Sequence, residues 1–127
     1  MKNFKKLFIV YGTLKKGYGN NRLLQNEHSK YLGECVTPPE YTLFDGGFPV
    51  VERGGETSIH GEVWEVSSPD VENSLNSLEG YSGVPHSSRN WYDVDENIPT
   101  PFGKASMYVM DEGKSGRNHI LQSGKWK

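Results

Sequence analysis

Apolar residues in this chain fall in short runs, too short for helices and broken by glycine, proline or charge. Phe8-Ile9-Val10-Tyr11 is the first such run, and its β-branched centre favours a pleated backbone. Gly12 and Gly17 then bracket a loop that can turn sharply and approach a ligand. A strand ending in such a loop gathers N–H groups suited to an oxyanion or carboxylate, although most glycines at strand ends serve plain turns. Arg22-Leu23-Leu24-Gln25 is expected to open a short helix leading to Tyr31-Leu32. Strands over 40–44 and 48–51 flank Asp45-Gly46-Gly47, a hairpin signal. Ile59 to Val66 reads as a further strand with imperfect alternation, in which Val63 faces opposite to Trp64. Two more strands are expected around 91–94 and 105–109, linked through Pro99-Thr100-Pro101 and Gly103, before a last stretch from His119 to Trp126.

One segment has a clear helical period. Ser67-Ser68-Pro69-Asp70 supplies a serine cap, a proline at the first helical position and an acid in the first turn. Val71, Leu75 and Leu78 follow at i, i+4 and i+7, and Gly80 is placed to end the helix. Six or so strands with two short helices make an α+β domain, a curled sheet or small barrel.

The helix carries an anomaly at its end. Glu79 faces the negative end of the helix dipole, which is unfavourable by about 0.3–1 kcal/mol when exposed. Lysine, arginine or histidine is the usual choice there. Local rules are broken most often at functional sites, and the helix end and partial burial both push this carboxyl towards a higher pKa. That direction suits a group that takes a proton and later returns it. The plain alternative is an ordinary surface glutamate.

Composition narrows the possibilities. The 127 residues fit one domain, 1–127, and 34% apolar content with 15 glycines and seven prolines implies many turns and loops. A net charge of −2 with no basic face disfavours nucleic acid. Cys35 is the single cysteine; it excludes an internal disulfide and, lacking a cationic neighbour in sequence, reads as packed rather than nucleophilic. Leu7 to Val10 is too short for a secretory h-region and no run approaches a membrane span, so a cytoplasmic protein is expected. His28, His60, His86 and His119 lack metal-ligand spacing, and Ser87-Ser88 beside His86 has no nucleophile elbow around it. Neither metal nor cofactor is expected. Tyr11, Tyr81 and Tyr108 are candidates for hydrogen bonds in a pocket, or core and rim residues.

Taken in order, Val10-Tyr11-Gly12-Thr13-Leu14-Lys15 with Gly17 and Asn20 or Asn21, Leu32-Gly33, Tyr41-Thr42-Leu43-Phe44, Gly47-Phe48-Pro49-Val50-Val51, Gly61-Glu62-Val63-Trp64-Glu65-Val66, Leu78-Glu79-Gly80-Tyr81, Tyr108 and Gly124-Lys125-Trp126 form a specific set. On these residues the chain resembles the γ-glutamylcyclotransferase-like superfamily, within it the short γ-glutamylamine cyclotransferase and AIG2-like branch. The resemblance implies a mixed β-sheet curled into a small barrel with short flanking helices. It also implies that the loop and the helix-ending glutamate meet at one cavity. Carried across, Tyr11, Gly12, Thr13 and Leu14 form the substrate-binding loop, Tyr108 is substrate-binding, and Glu79 is the general acid/base.

The implied activity is release of 5-oxoproline and a free amine from a small γ-glutamyl amine or peptide, without a cofactor. The oligomeric state is left open. The chain departs from the family pattern after Tyr81, where residues 82–91 intervene before the expected Tyr-x-Arg strand and Arg89 is the candidate for that arginine's place. The far wall of the pocket and the leaving group are thereby left open. The alternatives are a same-fold enzyme acting on a larger γ-glutamyl conjugate, favoured by a wide pocket around 82–90, and a non-catalytic small-ligand-binding module.

Overall fold

The computed structural model describes residues 5–45 and 48–126. β1 (Lys6–Val10) lies at the centre of a five-stranded mixed sheet. It pairs antiparallel with β5 (His60–Val66) and parallel with β7 (Gly103–Val109). β2 (Ser29–Val36) and β6 (Asp93–Thr100) complete the edges, giving the order β2-β5-β1-β7-β6. A separate hairpin joins β3 (Tyr41–Phe44) to β4 (Val50–Arg53). Its expected turn residues Gly46 and Gly47 lie outside the described residues.

β1 is buried on both faces, which is why its sequence is a continuous apolar run rather than an alternation. Phe8 and Val10 pack with Trp64, Leu75 and Tyr108 on the helix side. Ile9 and Tyr11 pack with Leu43, Val51, Val63 and Met107 on the hairpin side. Met110, just past β7, stitches hairpin to sheet: its N–H donates to the Val51 carbonyl and its own carbonyl accepts from the Arg53 N–H, both at 2.8 Å. The architecture is mixed α+β, mostly sheet, as expected; in detail the sheet stays open at β2 and β6 instead of closing into a barrel.

α1 (Pro69–Glu79) begins as its sequence dictates, with Ser68 Oγ accepting the Asp70 N–H at 3.2 Å. Val71 and Leu75 are buried, but Leu78, expected on the same apolar face, is at the surface. At the far end Gly80 adopts φ 67°, ψ 34°. Its N–H reaches the Ser77 carbonyl and the Tyr81 N–H reaches that of Asn76, the paired bonds of a Schellman cap.

Two local expectations fail for identifiable reasons. The helix expected from Arg22 is a 3-10 turn over Gly19–Leu24, and Tyr31-Leu32 belongs to β2, a strand the pattern does not announce. β2 is an edge strand with only Cys35 fully buried, and its register slips between Tyr31 and Gly33. The strand expected at 91–94 starts at Asp93 and runs on to Thr100 through Pro99, a residue an edge strand tolerates. Among the described residues no helix is long and apolar enough to cross a membrane.

Candidate active site

Where β1 ends, the chain turns under a wall made by the end of α1 and the segment just before β6. The Gly12 carbonyl accepts the Lys15 N–H at 3.0 Å, closing a turn over residues 12–15. Among the described residues the N–H groups of Gly12, Thr13 and Leu14 have no acceptor. Gly12 is required sterically: a Cβ there would stand 2.7 Å from Pro49 Cγ. Asn20 Nδ2 holds Thr13 Oγ1 and buried Asn21 Nδ2 holds the Leu14 carbonyl, each at 2.7 Å. Glu62 accepts the Lys16 N–H at 2.9 Å, and Lys15 Nζ donates to the Trp126 carbonyl at 3.0 Å. Trp126 also packs its ring against Tyr18, 5.0 Å between centres. The loop is thus tied to the 3-10 turn, to β5 and to the C-terminal stretch.

Glu79 is positioned by a second set of bonds. The returning chain donates Trp91 N–H to the Gly80 carbonyl at 2.9 Å and Tyr92 N–H to the Glu79 carbonyl at 3.2 Å. One turn earlier on α1, Asn76 Oδ1 accepts the Tyr108 hydroxyl at 2.5 Å, and the Tyr11 hydroxyl donates to the Tyr108 carbonyl at 2.8 Å. Loop, helix end and returning chain enclose one cavity of about 360 Å³, lined among others by Tyr11 to Leu14, Asn20, Glu79, Tyr92 and Tyr108. The six residues given site roles, Tyr11 to Leu14, Glu79 and Tyr108, lie in this lining, whereas Tyr81, the third tyrosine considered, does not.

The electrostatics follow from burial. Glu79 is the one carboxylate in the lining among the described residues, and burial pushes it up to about 7. Burial also holds the Tyr11, Tyr92 and Tyr108 phenols above the ordinary tyrosine range, and the nearby Glu79 charge adds to each rise. These tyrosines stay protonated around a carboxylate that changes state near neutrality. Tyr92 carried no signal in the sequence beyond its place in a strand; it joins the site only because residues 91 and 92 pair back onto the helix terminus.

The remaining candidates stand outside the cavity. Arg89 is exposed and absent from the lining; its backbone N–H donates to Ser87 Oγ at 3.2 Å. The arginine that packs on the lining is Arg117, 4.4 Å above the Phe48 ring centre. Residues 82–90 do not line this cavity. Burial raises the Cys35 thiol to about 11, consistent with a packed cysteine. Among the described residues His86, Asp93 and Asp111 bring ligand-type atoms within 4.8 Å of one another. Arg53 already bridges the two carboxylates, at 3.1 Å to Asp93 and 2.6 Å to Asp111, and none of the three lines the cavity.

The model of the family described as "Gamma-glutamyl cyclotransferase, AIG2-like" matches residues 8–127. The chain belongs to that family. A relative from Vibrio cholerae, named "Putative gamma-glutamylcyclotransferase", is 39% identical over 122 residues, 94% of each chain. Among solved structures, an uncharacterised protein of Pyrococcus horikoshii is similar with a TM-score of 0.71 at 27% identity, over 94% of this chain and 88% of that one. An AIG2-like protein from Mus musculus reaches a TM-score of 0.75 at 17% identity, over 98% and 89% of the two chains, a likeness of fold. The AIG2-like assignment thus agrees in sequence and in architecture.

Proposed function

We propose that this γ-glutamyl cyclotransferase family member converts a γ-glutamyl amine or peptide into 5-oxoproline and a free amine, with Glu79 as general acid/base. The observation that carries the reading is the meeting of Glu79 and the 11–14 loop at one cavity. A γ-glutamyl group contains its own nucleophile. Its α-nitrogen reaches the γ-carbonyl carbon to close a five-membered lactam, and holding the chain folded supplies much of the acceleration, with effective molarities of ~10⁵ M or more for well-oriented groups.

Ionised Glu79 takes a proton from the α-ammonium. The α-nitrogen then bonds to the γ-carbon, and the γ-carbon's bond to the leaving nitrogen breaks as Glu79 returns its proton to that nitrogen. The second proton shed by the attacking nitrogen departs with the released amine as an ammonium. A carboxyl raised to about 7 is matched to both halves of this transfer, worth ~10²–10⁴-fold. The unpaired N–H groups of Gly12, Thr13 and Leu14 are suited to the substrate carboxylate or to the oxyanion on the γ-carbon. Tyr108, with its hydroxyl committed to Asn76, walls the glutamyl part and braces the last turn before Glu79.

The test is incubation of the parent and Glu79→Gln with a panel of γ-glutamyl amines and amino acids, following 5-oxoproline by mass spectrometry. Release by the parent and loss in the folded variant supports the assignment. Equal release by both removes Glu79 from the mechanism, and binding without release by the parent leaves a ligand-binding module.

A further inference from the structure

A cation is held beside the cavity by a scaffold that reaches into the core. Glu52 on β4 is buried, yet its carboxylate accepts the Gly113 N–H at 2.8 Å, the Ser115 N–H at 3.0 Å and the Ser115 hydroxyl. Ser115 Oγ in turn accepts the Arg117 N–H at 3.2 Å. This chain of bonds fixes an otherwise irregular loop and delivers the Arg117 guanidinium onto the Phe48 ring. Nη1 reaches the Phe48 carbonyl at 3.4 Å, the guanidinium's one hydrogen bond among the described residues. Most of its five donors are therefore uncommitted.

The groups beneath it are apolar. Phe48 and Trp91 meet edge to face at 6.5 Å, and with Leu78 they form the outer part of the lining. All three are unusually exposed for their type, at 39%, 53% and 36%. No lysine, arginine or histidine stands in the lining itself among the described residues. Arg117 is near enough to the inner wall for its charge to oppose the rise of the Tyr92 phenol.

We propose that Arg117 is a specificity-determining residue that receives a carboxylate carried by the leaving amine, while Phe48, Leu78 and Trp91 take that amine's apolar body. The preferred substrates are then γ-glutamyl derivatives of apolar amino acids, ahead of those of neutral or cationic amines. This rests on the cyclotransferase reading above. A leaving group with a second ammonium would meet Arg117 at the mouth and find no acid in the lining except Glu79, which the proton transfer occupies. The planar fork of an arginine suits both tasks, stacking on the aromatic face and pairing two donors with a carboxylate.

The test compares kcat/KM for γ-glutamyl-leucine and γ-glutamyl-leucinamide, which differ only in carboxylate against carboxamide, by 5-oxoproline release. The parent is expected to favour the acid by about 10- to 100-fold, the worth of a charged hydrogen bond. Arg117→Met keeps the apolar packing on Phe48 and should bring the ratio to about one; Arg117→Lys should restore part of it. Arg117→Glu should turn the preference towards the γ-glutamyl derivative of 1,5-diaminopentane. Equal use of acid and amide by the parent, or a preference that survives in Arg117→Met, overturns the inference while lactam release keeps the cyclotransferase reading standing. No lactam from any substrate overturns both.

Discussion

The inner wall and the outer rim of the cavity are built on opposite principles. On the inner wall Tyr11 and Tyr108 spend their hydroxyls on internal acceptors, Asn21 holds the Leu14 carbonyl, and Glu79 is surrounded by buried phenols. On the rim Phe48, Leu78 and Trp91 are exposed, and Arg117 lies over the Phe48 ring with most of its donors free. A wall with committed hydrogen bonds resists rearrangement and fixes geometry, whereas a rim of exposed apolar groups adapts to what is brought to it. On the reaction proposed above, the rigid wall would hold the reacting γ-glutamyl unit and the adaptable rim would receive the departing amine.

Wall and rim part most sharply at Glu79. Glu79→Gln is expected to lower kcat for lactam release by about 10²–10⁴-fold while preserving the fold, read by 5-oxoproline kinetics beside circular dichroism. Next comes Gly12→Ala, which forces the loop or Pro49 to shift from a 2.7 Å clash. We expect a loss of about 1–3 kcal/mol in denaturant-measured stability, together with a larger fall in kcat/KM than in stability-matched core variants. Asn21→Ala leaves the Leu14 carbonyl without its side-chain partner and should cost about 1–3 kcal/mol, raising KM as the loop loosens. On the rim, Trp91→Ala should change KM by only about three- to tenfold, and for apolar leaving groups alone; an equal loss for every leaving group would erase the division between wall and rim.

Stability supplies a separate check with a definite sign. Burial raises Glu79 from the ordinary carboxylate range to about 7, so the folded state keeps a proton that the unfolded chain gives up at lower pH. Its contribution is therefore fully present below the unfolded carboxyl pKa and is lost as pH rises towards 7, then level above that. The loss is on the order of 3 kcal/mol. Glu79→Gln, which never ionises, should be more stable than the parent at pH 8 and show a flatter profile between pH 4.5 and 7. Parallel denaturation profiles for the two proteins would contradict the buried carboxylate.

How much of this was legible in the sequence depends on the range of the interaction that matters. α1 was readable almost residue by residue, because Ser68, Pro69 and Gly80 act on their own backbone. Glu79 was conspicuous for the same reason, as an acid where a local rule asks for a base. The 12–15 turn announced itself through Gly12, though the clash that makes glycine necessary comes from Pro49, just ahead of β4 and distant in sequence. β2 was hidden because an edge strand with a register slip need not alternate. Tyr92 and Arg117 were hidden more deeply. The first reaches the site through backbone pairing with the helix end, and the second through a buried glutamate sixty-five positions earlier. Arg89, the nearer choice in sequence, lies on an exposed turn off the lining.

The decisive measurement is the pH dependence of kcat/KM for two substrates, γ-glutamyl-leucine and γ-glutamyl-leucinamide, on the parent protein. Both profiles should rise through a shared inflection near 7, set by Glu79 on the inner wall, and differ only in height, set by the rim. An inflection that moves with the leaving group, or none between pH 6 and 8, would contradict the separation of chemistry from leaving-group choice.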